Sequence, residues 1–97
     1  MYKELDPLLH SQLRLAIISF LVGMEEAEFN LLKEKTGASS GNLSVQIDKL
    51  SQAGYIEVEK KFRGKKPLTL CKLTRKGLKS FENYVNDLKI YIHPKQK

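Results

Sequence analysis

The side chains in this sequence best suited to chemistry are its cations. Residues 60–79 hold Lys60, Lys61, Arg63, Lys65, Lys66, Lys72, Arg75, Lys76 and Lys79, and no acid. The other 77 residues carry 8 basic and 11 acidic side chains, so the net charge of +6 divides into +9 on one fifth of the chain and −3 on the rest. Crowded like charges repel and cost stability. The clustering therefore points to an anionic partner, with a solvated lysine-rich loop as the plainer alternative. Other chemistry is sparse. A lone cysteine such as Cys71 is usually a small buried hydrophobe, although the lysines near it would favour a reactive thiolate. His10 and His93 lie at opposite ends of the sequence. There is no Ser/His/Asp set, no glycine-rich phosphate loop and no close carboxylate pair in a polar setting. No catalytic residue, metal or cofactor is expected, and an enzyme is not expected.

The chain of 97 residues is 41% hydrophobic and 29% charged, which fits one globular domain over 1–97. A chain this short buries only about 60–65% of its unfolded surface, so a partner subunit would help. No apolar run reaches the ~18 residues of a membrane span, and the N-terminus carries no secretory apolar run. The single cysteine excludes an internal disulfide framework and fits a reducing compartment, hence the cytoplasm.

Periodicity supplies the elements that must carry the charge. Asp6-Pro7 reads as a helix start. One apolar stripe follows at helical spacing (Leu9, Leu13, Ala16, Ile17, Phe20, Leu21), and Leu8, Leu15, Ile18 and Val22 form a second on another face. A helix apolar on two faces is covered on two sides, and one cover is expected to be a second subunit. Gly23 is the expected stop. Phe29 to Lys35 reads as a short helix ended by Thr36-Gly37, and Ala38-Ser39-Ser40 as a turn. A longer helix from Ser40 buries Leu43, Ile47 and Leu50 on one face. Tyr55 to Glu59 then alternates as a strand does. Lys60 to Pro67 reads as a turn built on Gly64, and Leu68, Leu70 and Leu73 mark the return strand. Thr74 caps the last helix, which runs to Ile92 with Leu78, Phe81, Val85, Leu88 and Ile92 in heptad spacing, widened by Tyr84 and Tyr91. The fold class is α+β and mostly helical. It comprises a helix-turn-helix at about 29–54, a basic hairpin wing at about 55–73 and a C-terminal dimerisation helix at about 74–92.

The run Ser39-Ser40-Gly41-Asn42-Leu43-Ser44, with Ile47, Leu50, Ala53-Gly54-Tyr55-Ile56 and Leu73-Thr74-Arg75-Lys76-Gly77, resembles the MarR/ArsR-like winged helix-turn-helix transcription regulators. The resemblance covers roughly residues 8–92. It implies a homodimer on a pseudo-palindromic operator of double-stranded DNA. The chain is shorter at both ends than the larger MarR members, which take small phenolic ligands. It also lacks the paired cysteines of metal-sensing ArsR members. No small-molecule effector is assigned.

On that resemblance the helix from Ser40 enters the major groove, which is about 12 Å wide. Asn42 and Gln46, four apart on one face, are the expected base readers, because a carboxamide can pair with adenine's donor and acceptor together. Ser40 and Ser44 would contact bases or phosphates, Val45 a thymine methyl and Lys49 a phosphate. Ser39 would cap the helix and stand near a phosphate. At the wing, Arg63 beside Gly64 is expected to enter a minor groove, with Lys61, Lys65 and Lys66 on phosphates and Phe62 packed beneath. Leu8, Leu15 and Ile18 of the first helix and Leu78, Phe81, Val85, Leu88 and Ile92 of the last would form the dimer interface.

The competing reading is a winged-helix module for protein or RNA. The basic wing and the polar Asn42/Gln46 face argue against it, since a protein-binding module would tend to show an apolar or acidic face there. Non-specific, chromatin-like DNA binding is a third reading.

Overall fold

A computed structural model describes residues 2–94. The chain runs α1 (Gln12–Met24), β1 (Glu26–Glu28), α2 (Phe29–Thr36), α3 (Ser40–Gln52), β2 (Ile56–Arg63), β3 (Lys66–Leu73) and α4 (Arg75–Ile92). This is a winged helix: four helices and one three-stranded antiparallel sheet in the order β1-β3-β2.

The first helix begins later than Asp6-Pro7 suggests. Asp6 closes a separate turn, where its Oδ1 accepts from the Leu8 N–H at 2.9 Å and its carbonyl from the His10 N–H at 2.9 Å. Ser11 is the N-cap of α1. The helix also runs past Gly23. It ends where Glu25 adopts a φ of 70°, and the Glu25 carbonyl accepts from the Leu73 N–H at 2.9 Å. That bend lays Glu26–Glu28 beside β3 as a strand the sequence did not announce. Three residues, two of them acidic, are too few to display a period, and the pairing is supplied by the free edge of β3.

The hairpin is longer than alternation alone indicates. Its ladder extends to Arg63↔Lys66, leaving only Gly64 and Lys65 in the turn. Gly64 takes a φ of 65°, which glycine adopts without steric cost. Pro67 therefore lies inside β3, opposite Phe62. Cross-strand partners share a face. Ala27, Cys71 and Val58 thus point inward, with Ile56 paired to Leu73. Glu26, Glu28, Glu57, Glu59, Lys61 and Lys72 share the outer face.

The core gathers Leu9, Ile17, Ile18, Leu21, Leu32, Leu43, Ile47, Leu50, Ile56, Cys71 and Tyr84. α1 lies at its centre and packs on α2, α3, α4, β1 and β3. Its two apolar faces are thus largely met within one chain. Ile18, expected at a subunit interface, is fully buried and belongs to the core. Each such buried aliphatic side chain contributes about 1.5–3 kcal/mol. Leu43, Ile47 and Leu50 accordingly fix the rotation of α3 and define which of its faces looks outward.

The Ala-Gly-Tyr-Ile and Leu-Thr-x-x-Gly segments meet at one joint. Thr74 caps α4 by accepting from the Gly77 N–H at 3.0 Å, and its hydroxyl donates to the Gly54 carbonyl at 2.6 Å. The Thr74 N–H reaches the Tyr55 carbonyl at 3.1 Å. A Cβ on Gly77 would stand 2.1 Å from that carbonyl oxygen, so only glycine fits there. The motif is the weld between the end of α3, the root of the wing and the start of α4.

Candidate nucleic-acid interface

α3 is held at its start by Ser39, whose Oγ accepts from the Asn42 N–H at 3.1 Å. This engages the Ser39 hydroxyl in capping. Behind it, Gly37 ends α2 in the left-handed region at φ 73°. With the apolar side of α3 turned inward, Ser40, Asn42, Ser44, Val45 and Lys49 are all exposed on the outer side. Val45 is 49% exposed, a valine with no intramolecular cover to explain it.

Gln46 differs from the rest of that face. It is half-buried, and its amide is engaged at both ends. Oε1 accepts from Arg14 Nη1 at 2.5 Å, and Nε2 donates to Asn42 Oδ1 at 3.0 Å. Arg14 is itself fixed, its Nε donating to the Leu8 carbonyl at 2.6 Å. Sequence reasoning missed Arg14. The available signal was a lone cation between Leu13 and Leu15 in an otherwise apolar helix.

The wing root adjoins α3. Lys60 and Thr69 share a shallow cleft with Ser44 and Asp48, and Lys60 Nζ donates to Thr69 Oγ1 at 3.2 Å. Lys65 and Lys66 stand exposed at the tip. Phe62 does not pack beneath the wing. It is 73% exposed, because the hairpin extends beyond the core that its inward parity would otherwise reach.

Part of the wing's positive charge is answered on the outer sheet face. Lys72 Nζ lies 2.9 Å from Glu59, Lys61 4.0 Å from the same carboxylate, and Arg63 Nη2 2.5 Å from Glu28. The hydrogen bond from Lys72, and then the charge of Lys61, hold the Glu59 carboxyl below its ordinary range; the same bond raises Lys72. Cys71 departs from the reactive-thiolate alternative. Burial pushes its thiol up to about 11, and the charge of Lys60 opposes this only weakly. Among the described residues no group of three or more His, Cys, Asp or Glu side chains is placed to hold a metal. Nor is any helix long and apolar enough to cross a membrane.

A second surface is apolar. Along α4, Leu78 and Ile92 are exposed, Ile92 at 60%, while Phe81, Val85 and Leu88 are half-buried. Leu8 and Leu15 are likewise half-buried, and Tyr84 turns inward, its hydroxyl 3.1 Å from His10 Nδ1. Val22 and Leu78 line an open groove between the end of α1 and the start of α4.

Residues 13–92 match the winged helix DNA-binding domain family, and the chain belongs to it. Solved MarR-family regulators share its fold. An uncharacterized protein of Methanocaldococcus jannaschii is 37% identical over 79 residues, spanning 81% of this chain and 86% of that protein. The structure of a transcriptional regulator homologue from Pyrococcus horikoshii superposes with a TM-score of 0.81 at 26% identity, covering 88% of this chain and 84% of that one. A mutant MarR of E. coli, solved with operator DNA, shares the fold at a TM-score of 0.72 and 21% identity, covering 91% of this chain and 68% of that one.

Proposed function

We propose that the chain is a sequence-specific transcription regulator that binds a pseudo-palindromic operator in double-stranded DNA as a homodimer, in a cytoplasmic setting. One observation carries the reading. The outward side of α3 is polar, exposed and beside a wing whose tip bears Lys65 and Lys66, while the apolar side of the same helix is consumed by the core. In this reading α3 lies in the major groove, with Asn42 and Gln46 toward bases, Ser40 and Ser44 toward bases or phosphates, and the capping Ser39 and Lys49 toward phosphates. Val45 meets a thymine methyl. Lys61, Arg63, Lys65 and Lys66 flank the duplex along its backbone or minor groove. The apolar strip of Leu78, Phe81, Val85, Leu88 and Ile92, with Leu8 and Leu15, joins two subunits. The P. horikoshii homologue described as a transcriptional regulator, and the MarR fold solved on operator DNA, support it.

A gel shift with random duplex DNA at low salt tests the reading. Retardation is expected, and the double variant Lys65→Ala/Lys66→Ala should weaken it on every sequence. Absence of retardation by the unaltered protein would favour a protein- or RNA-binding module instead.

A further inference from the structure

The hydrogen bonds from Arg14 through Gln46 to Asn42 have a forced direction. A guanidinium has five donors and no acceptor, so the Gln46 atom that meets Arg14 Nη1 is the carbonyl Oε1. The Gln46 amide then turns its NH2 group to Asn42, and the Asn42 atom facing it is the acceptor Oδ1. Asn42 is left with its own NH2 group pointing away from that bond, and Gln46 with one further N–H. Arg14 has little freedom to reverse this order, because its Nε is anchored on the Leu8 carbonyl. Successive hydrogen bonds polarise one another, so the cation at the inner end strengthens the donors at the outer end.

We propose that Arg14 is a positioning residue that sets the hydrogen-bond polarity of the recognition surface, making Asn42 and Gln46 donors that select guanine. The proposal rests on α3 reading bases. Guanine is the base whose major-groove edge offers two acceptors, N7 and O6. Adenine offers N7 as an acceptor but N6 as a donor, and N6 needs a carboxamide oxygen free to accept. Here the Gln46 oxygen faces Arg14 and the Asn42 oxygen faces Gln46, so the group each carboxamide leaves for a base edge is its NH2.

The experiment is selection of bound duplexes from random DNA. The wild-type protein is compared with Arg14→Met, Arg14→Lys and Gln46→Glu, and Asn42→Ala identifies the base position that Asn42 governs. The readout is the guanine-to-adenine ratio at that position, a quantity that loss of stability alone does not move. Wild type should favour guanine by about tenfold or more, the scale of one good base contact. Arg14→Met, which keeps length and loses the donors, should bring the ratio to within about twofold of even. Arg14→Lys, which keeps a cationic donor, should retain most of the preference. In Gln46→Glu the carboxylate still accepts from Arg14 but donates nothing to Asn42, so the Asn42 amide can turn and the preference should move toward adenine. Gln46→Glu decides the matter should Arg14→Met fail to fold. A wild-type preference for adenine at this position, or an unchanged guanine preference in folded Arg14→Met or in Gln46→Glu, overturns the proposal while leaving base reading intact. Equal enrichment of all four bases by the wild-type protein would overturn base reading itself, and the proposal with it.

Discussion

The Arg63 guanidinium, at the end of β2, lies 2.5 Å from the Glu28 carboxylate of β1. The arginine best placed by sequence to enter a minor groove is thus paired to an acid across the outer sheet face. Its side chain remains 71% exposed, so the pair is worth only about 0.2–1 kcal/mol. Glu28 competes with phosphates for Arg63. Replacing it with glutamine should tighten DNA binding by up to about fivefold, the equivalent of that energy. An affinity titration at fixed salt measures this; the same gain from Glu28→Gln in an Arg63→Ala background would show that Arg63 does not engage DNA.

The salt dependence follows from the same surface. If each subunit neutralises about four phosphates, a dimer should show a log–log slope of affinity against salt near −7. A slope shallower than about −3 would count against DNA binding as the main activity.

Gly77→Ala should be costly. Its Cβ would meet the Tyr55 carbonyl oxygen at 2.1 Å, and backbone on both sides has little room to retreat. Forced overpacking of this kind costs about 1–3 kcal/mol. Denaturant unfolding checks it; a variant as stable as wild type would mean that the joint between α4 and the wing root is looser than described.

The parts of this fold that repeat were legible, and those made by distant contact were not. α3 could be read because Leu43, Ile47 and Leu50 repeat at helical spacing, and α4 because heptad positions recur from Leu78 to Ile92. β1 was missed because Glu26-Ala27-Glu28 has no period of its own and becomes a strand only beside Leu70–Lys72. Ile18 was set at a surface because two apolar stripes on one helix look alike whether a second subunit or the rest of the same chain covers them. Phe62 has the inward parity of a core residue, and only the length of the hairpin past the core exposes it. On the candidate site, Asn42 and Gln46 were visible as a spaced pair, whereas Arg14 lies 32 residues from Gln46 and joins it only through packing of α1 on α3.

Stability should fall at high pH. The Cys71 thiol is pushed up to about 11 from an ordinary value of 9.0, and burial, then the hydrogen bond to Asp6, also raises the Tyr55 hydroxyl above 10.0. A raised pKa favours the folded state while the group is protonated. The contribution is complete below about pH 9 and is lost as pH rises through 11. The melting temperature should therefore be nearly flat from neutral pH to about 9 and drop beyond it, with a shallower drop in Cys71→Ala. A Cys71→Ala profile parallel to wild type would remove the thiol from the explanation.

The apolar strip of α4 makes a prediction about assembly. Phe81→Asp or Ile92→Asp should yield monomers by sedimentation and abolish tight operator binding. Ile92 is exposed enough that its replacement leaves the fold intact. Variants that stay dimeric would put the interface elsewhere.

Selection of bound sequences from random duplex DNA tests the central claim most directly. A two-fold pair of α3 helices predicts an inverted repeat whose half-sites lie about one helical turn apart, roughly 10 bp, or a multiple of it. Recovery of no enriched sequence, or of a single unrepeated motif, would contradict a homodimer reading an operator through α3.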